Sequence, residues 1–201
     1  MLFLTGKSFA YDPVEGQVTA TLGPYYSRTN YGGFNSDLNS SYKTGVGLIA
    51  VGDFNSHASL EISMFYFPQM FFREVDGYLI SEKSQIMHIG MGYRRWLTAY
   101  FSTSLAFYSS YTMGEPETVY SNVPAGMDVD TSARDITEYG VDWSIQGDLW
   151  NQDRLAVVLE GRYSLSFTSK KGEKSDQYGA LIGLRYMVQE EKQVIAPPPV
   201  K

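Results

Sequence analysis

Cysteine is absent from the 201 residues, which excludes disulfide frameworks, thiolate-ligated zinc and thiol nucleophiles. Charge is sparse: Asp, Glu, Lys and Arg make up 19% of the chain, against about a quarter in an average soluble domain. The 16 basic residues fall short of the 22 acidic ones, for a net charge of −6. No basic stripe is available to track phosphates, so nucleic acid is not an expected partner. A long apolar run is missing as well. The charge-free stretch Trp96–Gly114 is long enough for a spanning helix, but Ser102, Ser104, Ser109, Ser110 and Thr112 interrupt it.

What the chain does have is aromatic residues, 15% of the total, and 19 glycines. Within Trp96–Gly114 the apolar residues Phe101, Leu105, Phe107, Tyr111 and Met113 all fall on odd positions. That is a period of two, the signature of a strand with one apolar face. The same alternation recurs in seven other windows: residues 17–28, 43–54, 59–67, 85–94, 138–149, 154–167 and 178–188. No window carries a period of 3.6, so eight strands and little or no helix are expected.

The apolar faces carry no charge. Val141, Trp143 and Ile145 alternate with Asp142, Ser144 and Gln146; Leu155, Val157 and Leu159 share one face of the next strand, and Ile182 and Leu184 one face of the last. Strands of roughly 10–13 residues, tilted near 40°, span roughly 25–33 Å, the thickness of a bilayer's hydrocarbon band. Rings gather toward strand ends, among them Tyr26, Phe54, Trp96, Tyr139, Trp150, Phe167 and Tyr186, as a lipid–water interface favours. Connections alternate long and short. The long ones are RTNYGGFNSDLNSS, Arg73–Ser84, Gly114–Arg134 and Ser169–Ser175; the short ones lie at Asn55–Ala58, Arg95–Ala99 and Asn151–Asp153. In lipid an unpaired backbone group costs several kcal/mol, so such a sheet must close on itself. The expected fold is an all-β, eight-stranded antiparallel up-and-down transmembrane barrel with a side-chain-filled polar lumen.

Over roughly residues 15–189 this pattern resembles the small eight-stranded outer-membrane barrels, the OmpA-like family. Gly183-Leu-Arg-Tyr186-Met-Val188 is similar to that family's final-strand assembly signal, with Val188 where a terminal Phe is common. The resemblance implies an outer-membrane location in a Gram-negative bacterium, with termini and short turns periplasmic and long loops extracellular. It implies membrane lipid as the surroundings, and the barrel-assembly machinery and periplasmic chaperones as partners during biogenesis. It implies no cofactor and no enzymatic activity. The function expected is structural or a surface interaction through the long loops, where Tyr31, Phe34, Tyr78, Tyr120 and Val123 could meet a ligand. A small pore or lateral-diffusion channel is the alternative, and a soluble lipocalin-like binder, with its faces inverted, is a further one. Residues 1–14 read as a residual export segment or N-terminal arm, with Ser8-Phe-Ala10 fitting a small-x-small cleavage site before Tyr11. Residues 190–201 read as a Pro-rich periplasmic tail similar to the hinge after an OmpA barrel.

The polar faces aim Glu61, His88, Arg94, Glu138, Asp142, Asp148, Glu160, Arg162 and Arg185 into the lumen. There they form either a static plug or a gate in which Arg162 or Arg185 exchanges carboxylates. For strands six and seven, opposing unlike charges favours residue numbers that sum to 304. That register sets Asp142 against Arg162 and Trp143 beside Gly161, and leaves Asn151-Gln152-Asp153 as a three-residue turn. Pro24 and Pro68 are expected at bulges near the loop-end rim. His57 falls in a turn and His88 in the lumen, with no catalytic motif around either. The loop acids Glu115, Glu117, Asp128 and Asp130 lack EF-hand spacing and read as solvated, so no metal site is expected.

Overall fold

The computed structural model describes residues 11, 13–31, 42–168 and 175–188. The expected tail, the tip KKGEK and Phe34 lie outside the described residues, as do residues 1–10. Eight strands follow one another: β1 Val18–Tyr31, β2 Lys43–Asp53, β3 Ala58–Val75, β4 Tyr78–Thr98, β5 Phe101–Ser121, β6 Glu138–Gln152, β7 Leu155–Ser166 and β8 Ser175–Val188. Each pairs antiparallel with its chain neighbours, and β8 returns to β1, so the barrel is closed. Among the described residues the only helical element is a single 3-10 turn, Ser132–Asp135.

Alternation fixes the two faces. The outward row includes Leu22, Leu48, Ile62, Met64, Met91, Leu105, Phe107, Leu165 and Ile182, all exposed. The inward row carries buried polar residues on every strand: Thr21, Asp53, Glu61, Ser63, His88, Arg94, Ser104, Asp142, Ser144, Glu160, Arg162 and Arg185. This is the reverse of a soluble protein, where apolar groups are the buried ones. One wall of the lumen is apolar too. Tyr25, Ile49, Val51, Phe65, Phe67, Ile86 and Leu181 form a buried cluster inside the polar shell. The inward glycines make room for it: a Cβ on Gly179 would lie 1.9 Å from the Tyr25 hydroxyl.

The structure corrects several connections. The expected long segment Arg73–Ser84 is continuous hairpin, Val75 facing Tyr78 across the two-residue turn Asp76-Gly77. Both turn residues have positive φ, 52° and 81°, the geometry that makes Asp-Gly a tight hairpin signal. The pairing of β2 with β3 ends at Tyr66, and that of β5 with β6 ends at Ser110. Beyond those points β3, β4 and β5 continue alone as a three-stranded blade. The sequence pattern stopped earlier because alternation fails past Tyr66: Phe67, Pro68, Met70, Phe71 and Phe72 put apolar residues on both faces of β3, while Lys83 and Gln85 interrupt the outward row of β4. The turn after β4 is Ala99-Tyr100, since Thr98 faces Phe101, and Trp96 points inward, 4% exposed.

The expected register of β6 and β7 is also wrong by one pair. Asp142 faces Ser164, Ser144 faces Arg162, and Trp143 faces Tyr163 instead of Gly161. A bulge between Asp148 and Trp150 inserts Leu149, and the hairpin closes on Asp153-Arg154 with Gln152 facing Leu155. The bulge lets both Leu149 and Trp150 stay exposed, which alternation alone forbids. The expected bulges at the prolines are absent. Pro24 stays in register with Val46, and Pro68 lies past the end of the β2 ladder, where no donor is asked of it on that side. The register shifts fall instead at Ser81/Glu82, Lys83/Gln85 and Trp96/Thr98.

Gly179→Ala should overpack the Tyr25 wall and cost about 1–3 kcal/mol. Gly52→Ala, whose Cβ would meet nothing within 4 Å, should leave stability unchanged. Urea unfolding in lipid vesicles, followed by tryptophan fluorescence, reads both.

Candidate functional site

All nine charged residues assigned to the lumen from sequence are inside the barrel, and they sort into levels. The middle level is a closed ring. Arg94 on β4 donates from Nε to Glu61 Oε2 (2.7 Å) and from Nη2 to Glu160 Oε2 (2.6 Å). Arg162 on β7 donates from Nη2 to Glu61 Oε1 (2.8 Å) and to Glu160 Oε1 (2.7 Å). Each glutamate therefore bridges both arginines, and the ring ties β3 and β4 to β7 across the lumen. Arg94 Nη1 also donates to Ser102 Oγ at 2.8 Å. All four side chains are at most 1% exposed. Arg162 Cζ lies 4.7 Å from the Phe65 ring centroid, so the apolar wall supports the guanidinium from its other face.

Above the ring, toward the blade, Arg162 Nη1 donates to Asp142 Oδ2 at 2.7 Å. The expected Asp142–Arg162 pair thus exists, reached diagonally instead of by direct opposition. The same carboxylate oxygen lies 2.9 Å from His88 Nε2, and Ser110 Oγ lies 2.7 Å from His88 Nδ1. The imidazole stacks on Tyr108 at 4.3 Å. Ser110–His88–Asp142 is an arrangement the sequence did not reveal, because its members sit on β5, β4 and β6 with no shared motif. Glu138, 2% exposed, meets the Tyr108 hydroxyl at 3.4 Å at the same level.

Ser110, His88 and Asp142 have the elements of a nucleophile–base–acid chain, and all three are buried in the lumen. Ser110 is 5% exposed. Asp142 is shared with Arg162, so its charge is already committed. The imidazole packs between Tyr108 and Phe65.

Below the ring, at the end that carries the short turns, Arg185 pairs with Asp148 at 3.0 Å through Nη1 and 2.5 Å through Nη2. This pair is separate from the ring. It is covered by Tyr11, whose hydroxyl donates to Asp53 Oδ2 at 2.6 Å. Burial, and then the Asp53 carboxylate, push the Tyr11 phenol above its ordinary value, so it remains a neutral donor. At the opposite end Arg134, next to the 3-10 turn, reaches Glu82 on β4, drawing the β5–β6 connection onto the blade. His57 lies in the exposed β2–β3 turn beside Ser56. Among the described residues no group of His, Asp and Glu is placed to hold a metal ion.

The eight residues assigned to the outer face all point away from the lumen. Trp143, Ile145, Leu155, Leu159, Ile182 and Leu184 are exposed, while Val141 and Val157 are half-buried by neighbouring side chains. No helix among the described residues is long and apolar enough to cross a membrane, which leaves strands free to do so.

A closed eight-stranded meander with polar residues inside and apolar residues outside is the fold of Gram-negative outer-membrane barrels. Solved structures bear this out. The chain aligns over 90% of its length with the whole of the outer membrane protein OprG from Pseudomonas aeruginosa, at 10% identity and a TM-score of 0.58. It aligns over 87% of its length with the whole of Ail, the attachment invasion locus protein of Yersinia pestis, solved with the heparin analogue sucrose octasulfate, at 15% identity and a TM-score of 0.53. No protein-family model matches the chain, and no curated protein matches it in sequence.

Removing one member of the ring leaves buried charge uncompensated. Arg162→Ala, which strands Glu61, Glu160 and Asp142 on Arg94 and His88, should cost about 3–5 kcal/mol. Adding Asp142→Asn should return part of that loss, measured as the shift in urea midpoint.

Proposed function

We propose that this protein is an integral outer-membrane barrel of a Gram-negative bacterium that displays an interaction surface, and that its lumen is a static plug. The observation that supports this most is the inverted polarity of a closed sheet. On β7 and β8 the exposed apolar rows Leu155–Leu165 and Tyr178–Val188 each rise about 25 Å at a 40° tilt, the height of an outer-membrane barrel's apolar band. Exposed rings bracket the band: Tyr26, Tyr139, Phe167 and Tyr178 toward the blade, and Phe54, Tyr100, Trp150 and Tyr186 toward the short turns. A lipocalin-like binder would need the opposite arrangement.

The short-turn end faces the periplasm in this reading, and the blade faces outside. Nine β3 residues past Tyr66 carry the blade up to about 30 Å of strand beyond the β2 ladder, and Met113, Glu115, Glu117, Val119 and Tyr120 are exposed on β5. That surface is where a ligand would be met, in keeping with an attachment-type role such as the name of Ail describes. Membership of the broader OmpA-like group, and delivery by periplasmic chaperones to the barrel-assembly machinery, belong to the same proposal. Catalysis does not: a fluorophosphonate probe should leave Ser110 unlabelled in the folded protein.

Detergent-extracted protein should migrate faster unheated than boiled, and planar bilayers should record no channel events. Fractionation with soluble proteins would reject the membrane assignment; steady unitary conductance would reject the plug. Shortening the β3–β4 hairpin by moving its Asp-Gly turn to follow Gln69 should preserve the gel shift, while removing any cell-surface binding that bacteria gain by expressing the chain.

A further inference from the structure

Tyr11 belongs to no strand, yet it is 2% exposed. Its contacts cross the short-turn mouth of the barrel. The backbone N–H donates to Ala99 O in the β4–β5 turn at 3.1 Å, and the hydroxyl donates to Asp53 at the end of β2. The ring lies 4.3 Å from the Trp96 ring of β4, and Arg185 Cζ of β8 sits 4.3 Å from the Tyr11 centroid. The groups it meets are themselves fixed. Asp53 Oδ1 accepts from Ser59, Ser59 Oγ accepts from the Trp96 indole at 3.2 Å, and Arg185 holds Asp148.

Two different environments meet at this residue. On one side is a cleft of about 220 Å³ lined by Tyr11, Pro13, His57, Trp96, Thr98 and Ala99. On the other, Ser59 and Thr19 are 0% and 1% exposed. We infer that Tyr11 is a stopper seated in the short-turn mouth, and that it seals the lower lumen from water. Tyr11 is outside the barrel's ladder. Releasing it breaks its own contacts but no strand pairing, so the seal can open while the barrel stays closed. Above it the Arg94–Glu61–Arg162–Glu160 ring remains as a second, independent barrier.

The absence of native cysteine makes a direct test available. Thr19→Cys places a thiol just inside the seal and removes no hydrogen bond, since Thr19 Oγ1 has no partner. Ala106→Cys places one beyond the ring, where Ala106 is 2% exposed and faces Asp142 across the β5–β6 ladder. A sulfonated methanethiosulfonate is then applied to the detergent-folded barrel, with its gel shift checked. With Tyr11 present both thiols should react slowly. Tyr11→Ala should speed modification of Cys at position 19 by about tenfold or more, as loss of a local closed state would, while position 106 stays slow. Tyr11→Phe keeps the ring and should stay protected. The inference fails if position 19 reacts equally with and without Tyr11. It also fails if Tyr11→Ala accelerates position 106 as much as position 19, which would mean a loosened barrel, or if Tyr11→Phe reacts as fast as Tyr11→Ala.

Discussion

Two guanidiniums and two carboxylates, joined in a ring across the lumen, set the terms for the rest of this molecule. Burying any one of these charges alone would cost several kcal/mol. Together they satisfy one another because β3, β4 and β7 bring Glu61, Arg94, Glu160 and Arg162 to one level. That meeting requires a closed sheet of this circumference. It also requires alternation to be kept on every strand. A slip of one residue would turn a whole row over, carrying Glu61 or Arg94 to the outside and Ile62 or Tyr93 to the inside. The ring therefore does more than fill space: its charges make the wrong register expensive in both solvents.

This is why so much of the architecture could be read before the structure was seen. Period-two alternation over Val141–Asp148 and Leu155–Arg162 names the strands, and the charge-free row names the lipid-side face. Loop spacing supplies the up-and-down order. All nine lumenal charges follow from that reading, since parity alone decides which way a side chain points. Their partners do not follow. Parity is blind to axial position, so the sequence could not separate the Arg185–Asp148 pair from the ring, or place Ser110 beside His88.

What parity missed has particular causes. The extra residue Leu149 shifts the β6–β7 register, and nothing in Asp148-Leu149-Trp150 marks a bulge, because two exposed apolar residues suit a lipid-facing rim. The charge argument for setting Asp142 opposite Arg162 assumed that a long guanidinium reaches only its direct neighbour. A diagonal approach gives the same ion pair at 2.7 Å and frees Ser144 for the direct position. The blade was not legible because alternation fails there: the ladder of β3 with β4 continues from Phe67 to Val75, through a stretch with apolar residues of both parities. Tyr25, Ile49, Phe65 and Leu181 sit on the face read as polar. They line one wall of the lumen, in contact with Arg162 through Phe65, where Gly47 and Gly179 leave room for their bulk.

The two obstructions inside the barrel differ in kind, and the difference bears on whether such a lumen could conduct. Tyr11 is held by its ring, its hydroxyl and its backbone amide at the mouth, so its release is local. The ion ring joins strands on opposite sides of the barrel, and water can pass only if a guanidinium leaves a carboxylate it is bonded to. At about 3–5 kcal/mol for a broken buried pair, the open arrangement would be held by roughly one molecule in 160 to one in 5,000. A single ring at the mouth, in front of a ring of buried ion pairs, puts the weaker obstruction at the end of the lumen and the stronger one at its centre.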